Sequence, residues 1–200
     1  MGREPDVTRA AAREELGPIL GPGLRVLFVG INPSLRSAEV GHHFARPGNR
    51  FWPALHAAGF TPRLLRPDED AQLPVYGVGV TNLAFRPTRE AAQITSEELR
   101  EGARALEQTV RRHQPRLVAV VGLTAYRTAF ARPKATMGLQ PDEIGGRPVG
   151  GLPNHSGLTA HYKPADFARL YAEARAYADA MPPPPPAAPS APSPRPPTPR

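Results

Sequence analysis

Arg25 to Val29 is a short, nearly continuous run of large and β-branched apolar side chains, and it limits what this chain can fold into more than any other feature. Such a run is the signature of a strand buried on both faces. Leu117 to Val121 repeats it, closed by Gly122, and Tyr76 to Leu83 reads as a strand between the two. Strands covered on both sides need helices on both sides, and the intervening segments supply them. Thr95-Ser-Glu-Glu98 fits a capping box, with Thr95 at the N-cap and Glu98 at N3. The helix it starts carries Leu99, Ala103, Leu106 and Val110 on one face and ends before Pro115. Pro164 opens a second amphipathic helix, with Phe167, Leu170, Tyr171 and Ala174 on a common face. Shorter helices are expected from an Asn49 N-cap to about Ala58, from Thr61-Pro62, and from Thr124 to Phe130. Residues 132–148 read as irregular, and Val149 to Leu152 as a weak last strand. This order argues an α/β fold: a three-layer α/β/α sandwich on a mostly parallel four-stranded sheet.

Two hundred residues are enough for one domain plus its ends. Residues 1–17 read as an N-terminal extension with a short helix, 18–180 as the domain, and 181–200 as a tail. The tail is almost only Pro, Ala, Ser and Arg. It cannot bury enough apolar surface to order itself, so a flexible, polyproline-biased segment is expected. The absence of cysteine excludes a disulfide framework, a thiol nucleophile and Cys-ligated zinc or iron–sulfur clusters. No apolar run approaches the roughly 20 residues of a membrane span. The first 16 residues lack the apolar core of a signal peptide. A soluble, cytoplasmic protein is therefore expected. The formal net charge of +7 favours a polyanionic partner such as nucleic acid, although Arg-, Ala- and Pro-rich usage also follows genome base composition.

Three blocks carry chemistry. In the first, Gly30 ends the opening strand and Asn32-Pro33 forces an extended geometry, since Pro disfavours the α region for the residue before it. The strand thus delivers the Asn32 amide at its carboxyl end, where open α/β sheets bind ligands. Taken alone, Asn-Pro is a turn. The second block is Gly41-His-His-Phe-Ala-Arg-Pro-Gly-Asn-Arg-Phe-Trp52, and the third is Leu152-Pro-Asn-His-Ser-Gly-Leu-Thr159. Leu158 is an apolar tip in a polar loop, suited either to packing down on its own domain or to unstacking bases as a wedge.

Gly-Ile-Asn-Pro, the Gly-His-His-Phe block and Leu-Pro-Asn-x-Ser-Gly-Leu together resemble the mismatch-specific uracil-DNA glycosylase and thymine-DNA glycosylase family. That family is a branch of the uracil-DNA glycosylase superfamily. The resemblance covers about residues 18–175 and includes the intervening Gly-Val-Thr-Asn-Leu and Arg-Pro-Thr. It implies a monofunctional glycosylase that flips uracil (or thymine, or ethenocytosine) mispaired with guanine out of duplex DNA and hydrolyses its N-glycosidic bond. It further implies no metal or nucleotide cofactor, double-stranded DNA with a mismatched or damaged base as partner, a monomer, no membrane, and a bacterial source.

Residue by residue, the resemblance places Asn32 on the attacking water. An amide cannot take a proton from water at neutral pH and can only orient it. That suits a reaction in which the base leaves as a stabilised anion and the protein contributes positioning and electrostatics. Phe44 matches the aromatic on which the flipped base stacks, and Ile31 and Phe44 the backbone groups that meet the uracil edge. Ser37 matches the position beside C5, and His43 a helper near the leaving base. Leu158 matches the wedge, Gly157 and Thr159 its neighbours at the widowed guanine, and Asn154 a residue that shapes or contacts this loop. Ser34 stands where the family usually has Gly, and His155 where it usually has Pro. Gly-His-His resembles the thymine side of the family and Ser-Gly-Leu the bacterial uracil side. A metal site at His42-His43 is rejected, because adjacent histidines rarely share an ion and no carboxylate cluster accompanies them. Arg36, Arg46, Arg50, Arg86 and Arg89 flank these loops and suit either phosphates or a solvated face. A DNA-binding protein with a weakened site is the alternative. A nucleotide-binding enzyme is disfavoured by the absence of its glycine-rich motifs.

Overall fold

The computed structural model describes residues 16–155 and 162–182. In chain order its strands and helices are β1 (Val26–Gly30), α1 (Leu35–Val40), α2 (Phe51–Ala57), β2 (Val78–Asn82), α3 (Ser96–His113), β3 (Leu117–Val121), α4 (Leu123–Ala129), β4 (Gly138–Ile144), β5 (Arg147–Leu152) and α5 (Pro164–Ala180), with 3₁₀ segments at Pro67–Tyr76 and Ala91–Gln93. β1, β2 and β3 are buried along their whole length. The strands lie in the order β2-β1-β3-β5-β4, parallel except for the antiparallel β4–β5 pair. Val26 stands opposite both Val78 and Leu117, so apolar side chains form rows across the sheet.

Alternation along each strand divides the core in two. Val26 and Phe28 face α2 and α5, packing with Phe51, Leu55, Phe167 and Tyr171. Leu27 and Val29 face the other way, onto Leu99, Leu106 and Val110 of α3 and Tyr126 of α4. The three-layer arrangement follows. The α3 capping box is present: Thr95 Oγ1 accepts the Glu98 N–H at 3.2 Å, and Glu98 Oε2 accepts the Thr95 N–H at 2.9 Å. All four residues expected on the buried face of α3 are buried, as are the four expected on α5.

The sheet has five strands rather than four. The additional one, β4, falls in the stretch that reads as irregular, because its residues are polar and it carries Pro141. Only an edge strand tolerates that composition, since one side of its backbone needs no partner. Gly145 and Gly146, at φ +58° and +77°, form the tight turn into β5, the geometry that two-residue hairpins require. The helix expected at Thr61-Pro62 is absent. The Thr61 hydroxyl donates to the Arg63 carbonyl at 2.8 Å instead, and the helical turns come later, at Pro67–Tyr76. The N-cap of α2 is Arg50 rather than the expected Asn49, and it makes no side-chain cap; Asn49, one residue earlier, accepts the Phe51 N–H at 2.9 Å. The expected N-terminal helix and most of the proline-rich tail lie outside the described residues.

Candidate active site

Parallel strands leave a crevice at their carboxyl ends, and here it is a cavity of about 300 Å³. Its walls include Ile31, Asn32, Ser37, His43 and Phe44, then Asn82 at the end of β2 with Thr88 and Glu90 from the loop after it, then Asn154 and His155 after β5. Every described residue expected in the site thus lines one cavity. Gly157, Leu158 and Thr159 lie outside the described residues.

Asn32 is held in one orientation. Its Nδ2 has two hydrogens for three acceptors, Pro33 O at 3.1 Å, Arg86 O at 3.0 Å and Thr88 Oγ1 at 2.7 Å, so one hydrogen is shared. Two of these partners are carbonyls, which only accept, so the amide cannot be flipped without facing oxygen to oxygen. Among the described residues Oδ1 has no partner and is left over as the acceptor. Thr88 is itself buried and donates to Glu90 O at 2.8 Å, while its N–H donates to Pro33 O at 3.2 Å. The β2 loop is in this way fastened to the Asn32 turn.

Phe44 stacks on Phe51, ring centroids 4.1 Å apart and planes 23° from parallel. One face is thereby covered, and the half-buried ring meets the cavity with what remains. Its φ is +53°, a left-handed conformation that a bulky side chain adopts at a cost. Among the described residues, no hydrogen bond engages the Phe44 backbone, which stays free for a ligand. Ile31 offers less: its carbonyl is occupied by the Ala84 N–H at 2.8 Å.

Ser37 is buried, and its Oγ accepts the Ala45 N–H at 3.1 Å and the Ser34 hydroxyl at 3.0 Å. Ser34 also N-caps α1 by accepting the Ser37 N–H at 3.1 Å. Its φ of −69° needs no glycine, so serine at this position is a cap and leaves the turn intact.

His43 is buried, with Nε2 2.9 Å from the Gly17 carbonyl. A carbonyl only accepts, so Nε2 carries the proton and Nδ1 the lone pair. Burial lowers its pKa from 6.5, opposed by the Gly17 bond and the Asp70 charge. His43 is therefore a neutral imidazole with its N–H already committed, able to accept a hydrogen bond but not to protonate a leaving base. His155 is more extreme. Neither ring nitrogen has a partner among the described residues. The ring sits edge-on to Phe44 and Phe51 at 5.3 and 5.4 Å, and burial pushes its pKa down to about 3.

A model of the uracil DNA glycosylase superfamily matches residues 18–178. The chain belongs to that superfamily. Membership implies a DNA glycosylase, a hydrolase acting on DNA. The fold is also similar to the solution NMR structure of a candidate uracil DNA glycosylase from Methanosarcina acetivorans, with a TM-score of 0.55 at 19% identity, over 80% of this chain and 95% of that one. At that identity the likeness speaks for the fold alone.

Two cavity residues of this superfamily member received no role from the sequence. Asn82 ends β2, is buried, and leaves its Nδ2 without a partner among the described residues. A Cβ at Gly30 would collide with the Asn82 side-chain oxygen, so Gly30 makes room for this amide. Thr88 is the other, and its role exists only through the loop that folds it onto Asn32. A polar residue ending an otherwise apolar strand was the available signal for Asn82. Among the described residues, no group of three or more His, Asp or Glu side chains is placed to hold a metal ion. None of the described helices is long and apolar enough to cross a membrane.

Proposed function

We propose that residues 18–180 form a monomeric, monofunctional glycosylase of the mismatch-specific uracil/thymine branch, which excises uracil paired with guanine in duplex DNA. The observation that carries this reading is the fixed Asn32 amide, whose Nδ2 is committed to three protein acceptors and whose Oδ1 is not. A water that donates one proton to Oδ1 keeps a lone pair to direct at C1′ of the flipped nucleotide. Its oxygen bonds to C1′, the C1′–N1 bond breaks, and the electron pair leaves with uracil as an anion. The water's proton passes to solvent, leaving free base and an abasic site.

No wall residue needs to act as a strong base. Phe44, backed by Phe51, offers a face for stacking, which tolerates any base. Selectivity then falls to hydrogen bonds and shape. The unpartnered Asn82 Nδ2 suits a base carbonyl, and the Phe44 backbone suits the base edge. Ser37 narrows the wall where a thymine methyl would enter, with its hydroxyl already engaged. Leu158 would fill the vacated stack while Gly157 and Thr159 meet the widowed guanine, with Asn154 shaping or contacting their loop.

The test is a labelled duplex carrying one G·U pair, incubated with protein and then cleaved with alkali, beside A·U and G·T duplexes and the Asn32→Ala variant. Cleavage at G·U that collapses in the variant is expected. Cleavage unaffected by Asn32→Ala would overturn the mechanism, and no cleavage by folded, DNA-binding protein would overturn the activity.

A further inference from the structure

Phe44 holds a left-handed backbone with no glycine to ease it, and the two bonds that flank it show what keeps it there. After it, the Ala45 N–H is held by Ser37 Oγ at 3.1 Å. Before it, the His43 N–H is held by Asp70 Oδ2 at 2.9 Å. The other oxygen of that carboxylate, Oδ1, accepts from His42 Nδ1 at 3.2 Å. Asp70 is 5% exposed and lies on the 3₁₀ segment Pro67–Tyr76, well away in sequence from the residues it grips. Burying a carboxylate is costly unless its oxygens are satisfied. Here both are spent on two consecutive residues of the one corner that presents Phe44.

We propose that Asp70 is a positioning residue for the stacking platform: it holds the His42–His43 backbone so that Phe44 lies flat on Phe51 and faces the cavity. A single carboxylate does this because it has two acceptor oxygens at fixed separation, one for a main-chain N–H and one for an imidazole N–H. Asn supplies only one acceptor and no charge: it can keep the His43 N–H through Oδ1, but its NH₂ meets His42 only as a donor, which requires that ring to move its proton to Nε2 and gives up the charge-assisted bond. The role rests on reading the cavity as a base pocket, but its structural half does not.

The experiment takes Asp70→Asn, Phe44→Leu and the double variant of the full chain. Three measurements are made: single-turnover excision from a G·U duplex at saturating protein, thermal stability, and NMR contacts between the Phe44 and Phe51 rings. The expected result is a loss of about tenfold in the single-turnover rate for Asp70→Asn, the scale of one charge-assisted hydrogen bond. In the Phe44→Leu background the same change should cost less than about twofold, because Asp70 acts through the ring that is already gone. The Phe44–Phe51 ring contacts should weaken in a variant that otherwise keeps a dispersed spectrum. Additive losses that track the melting temperature would overturn the proposal and make Asp70 merely structural. If wild-type protein excises nothing, the activity reading fails by itself, and the ring contacts still decide: unchanged contacts in Asp70→Asn would sink the positioning role.

Discussion

The hydrogen bond from Asn32 Nδ2 to Thr88 Oγ1 is the shortest of the three that orient the amide, 2.7 Å against 3.0 and 3.1 Å. Thr88→Val removes that oxygen and preserves side-chain shape. A single intramolecular hydrogen bond has a net worth of about 0.5–1.5 kcal/mol. The two carbonyls still hold the amide, so the loss should stay within one bond's worth, about two- to tenfold in rate. Asn32→Ala removes the water's acceptor altogether and should cost about 10²–10³-fold, the scale of one preorganised polar group. Single-turnover excision from a G·U duplex under saturating protein separates these outcomes. Thermal stability must be read alongside, because Thr88 is buried and its loss also removes one of the two donors to the Glu90 carbonyl, leaving the Gln93 N–H at 3.1 Å. Two results would refute the reasoning. A Thr88→Val rate as low as that of Asn32→Ala would mean that the threonine itself holds the nucleophile. An unchanged rate would mean that the carbonyls alone fix the amide.

Glu90 is the carboxylate among the described cavity residues and is exposed at the rim; Glu90→Gln should leave the single-turnover rate within about threefold, and a collapse would replace the amide mechanism by general-base catalysis. The folded-state pKa values of His155, about 3, and of His43 lie below their ordinary 6.5. Below pH 6.5 the unfolded chain therefore binds more protons. Stability is fully present above that pH and falls as the pH drops toward the folded values, by about 1.4 kcal/mol per pH unit for each fully depressed histidine. Melting temperatures between pH 7.5 and 4.5 should show the decline, and His155→Phe should flatten it; an equal slope in that variant would contradict the assignment. Gly30→Ala should drive the Asn82 amide from its place, costing about 1–3 kcal/mol of stability together with base affinity, and an unperturbed variant would mean that the close approach carries no function.

The strands were legible because double-sided burial leaves a mark no other element makes in so few residues. Val26–Gly30 and Leu117–Val121 announce themselves by composition. β4 did not, since an edge strand with one solvent face and Pro141 shows no apolar run. Its hairpin glycines, Gly145-Gly146, were the signal that could have revealed it. In the site, Asn32 and Phe44 were visible as motif residues, and both line the cavity. Ser37 was placed there too, but its hydroxyl bonds to Ala45 and Ser34, and that depends on how α1 meets the next loop.

What the amino-acid order determined by itself is local and periodic: which segments are buried on both faces, where Thr95 starts a helix, and that Asn32 emerges at a strand's carboxyl end. These follow from contacts between residues a few positions apart. The tertiary structure decided which end of the Asn32 amide is free, which nitrogen of His43 carries its proton, and why Phe44 can remain left-handed. Each depends on a partner distant in sequence: Arg86 and Thr88, Gly17, and Asp70. A hydrogen bond is a statement about two groups in space, and only the folded sheet brings those groups within 3 Å or so of each other.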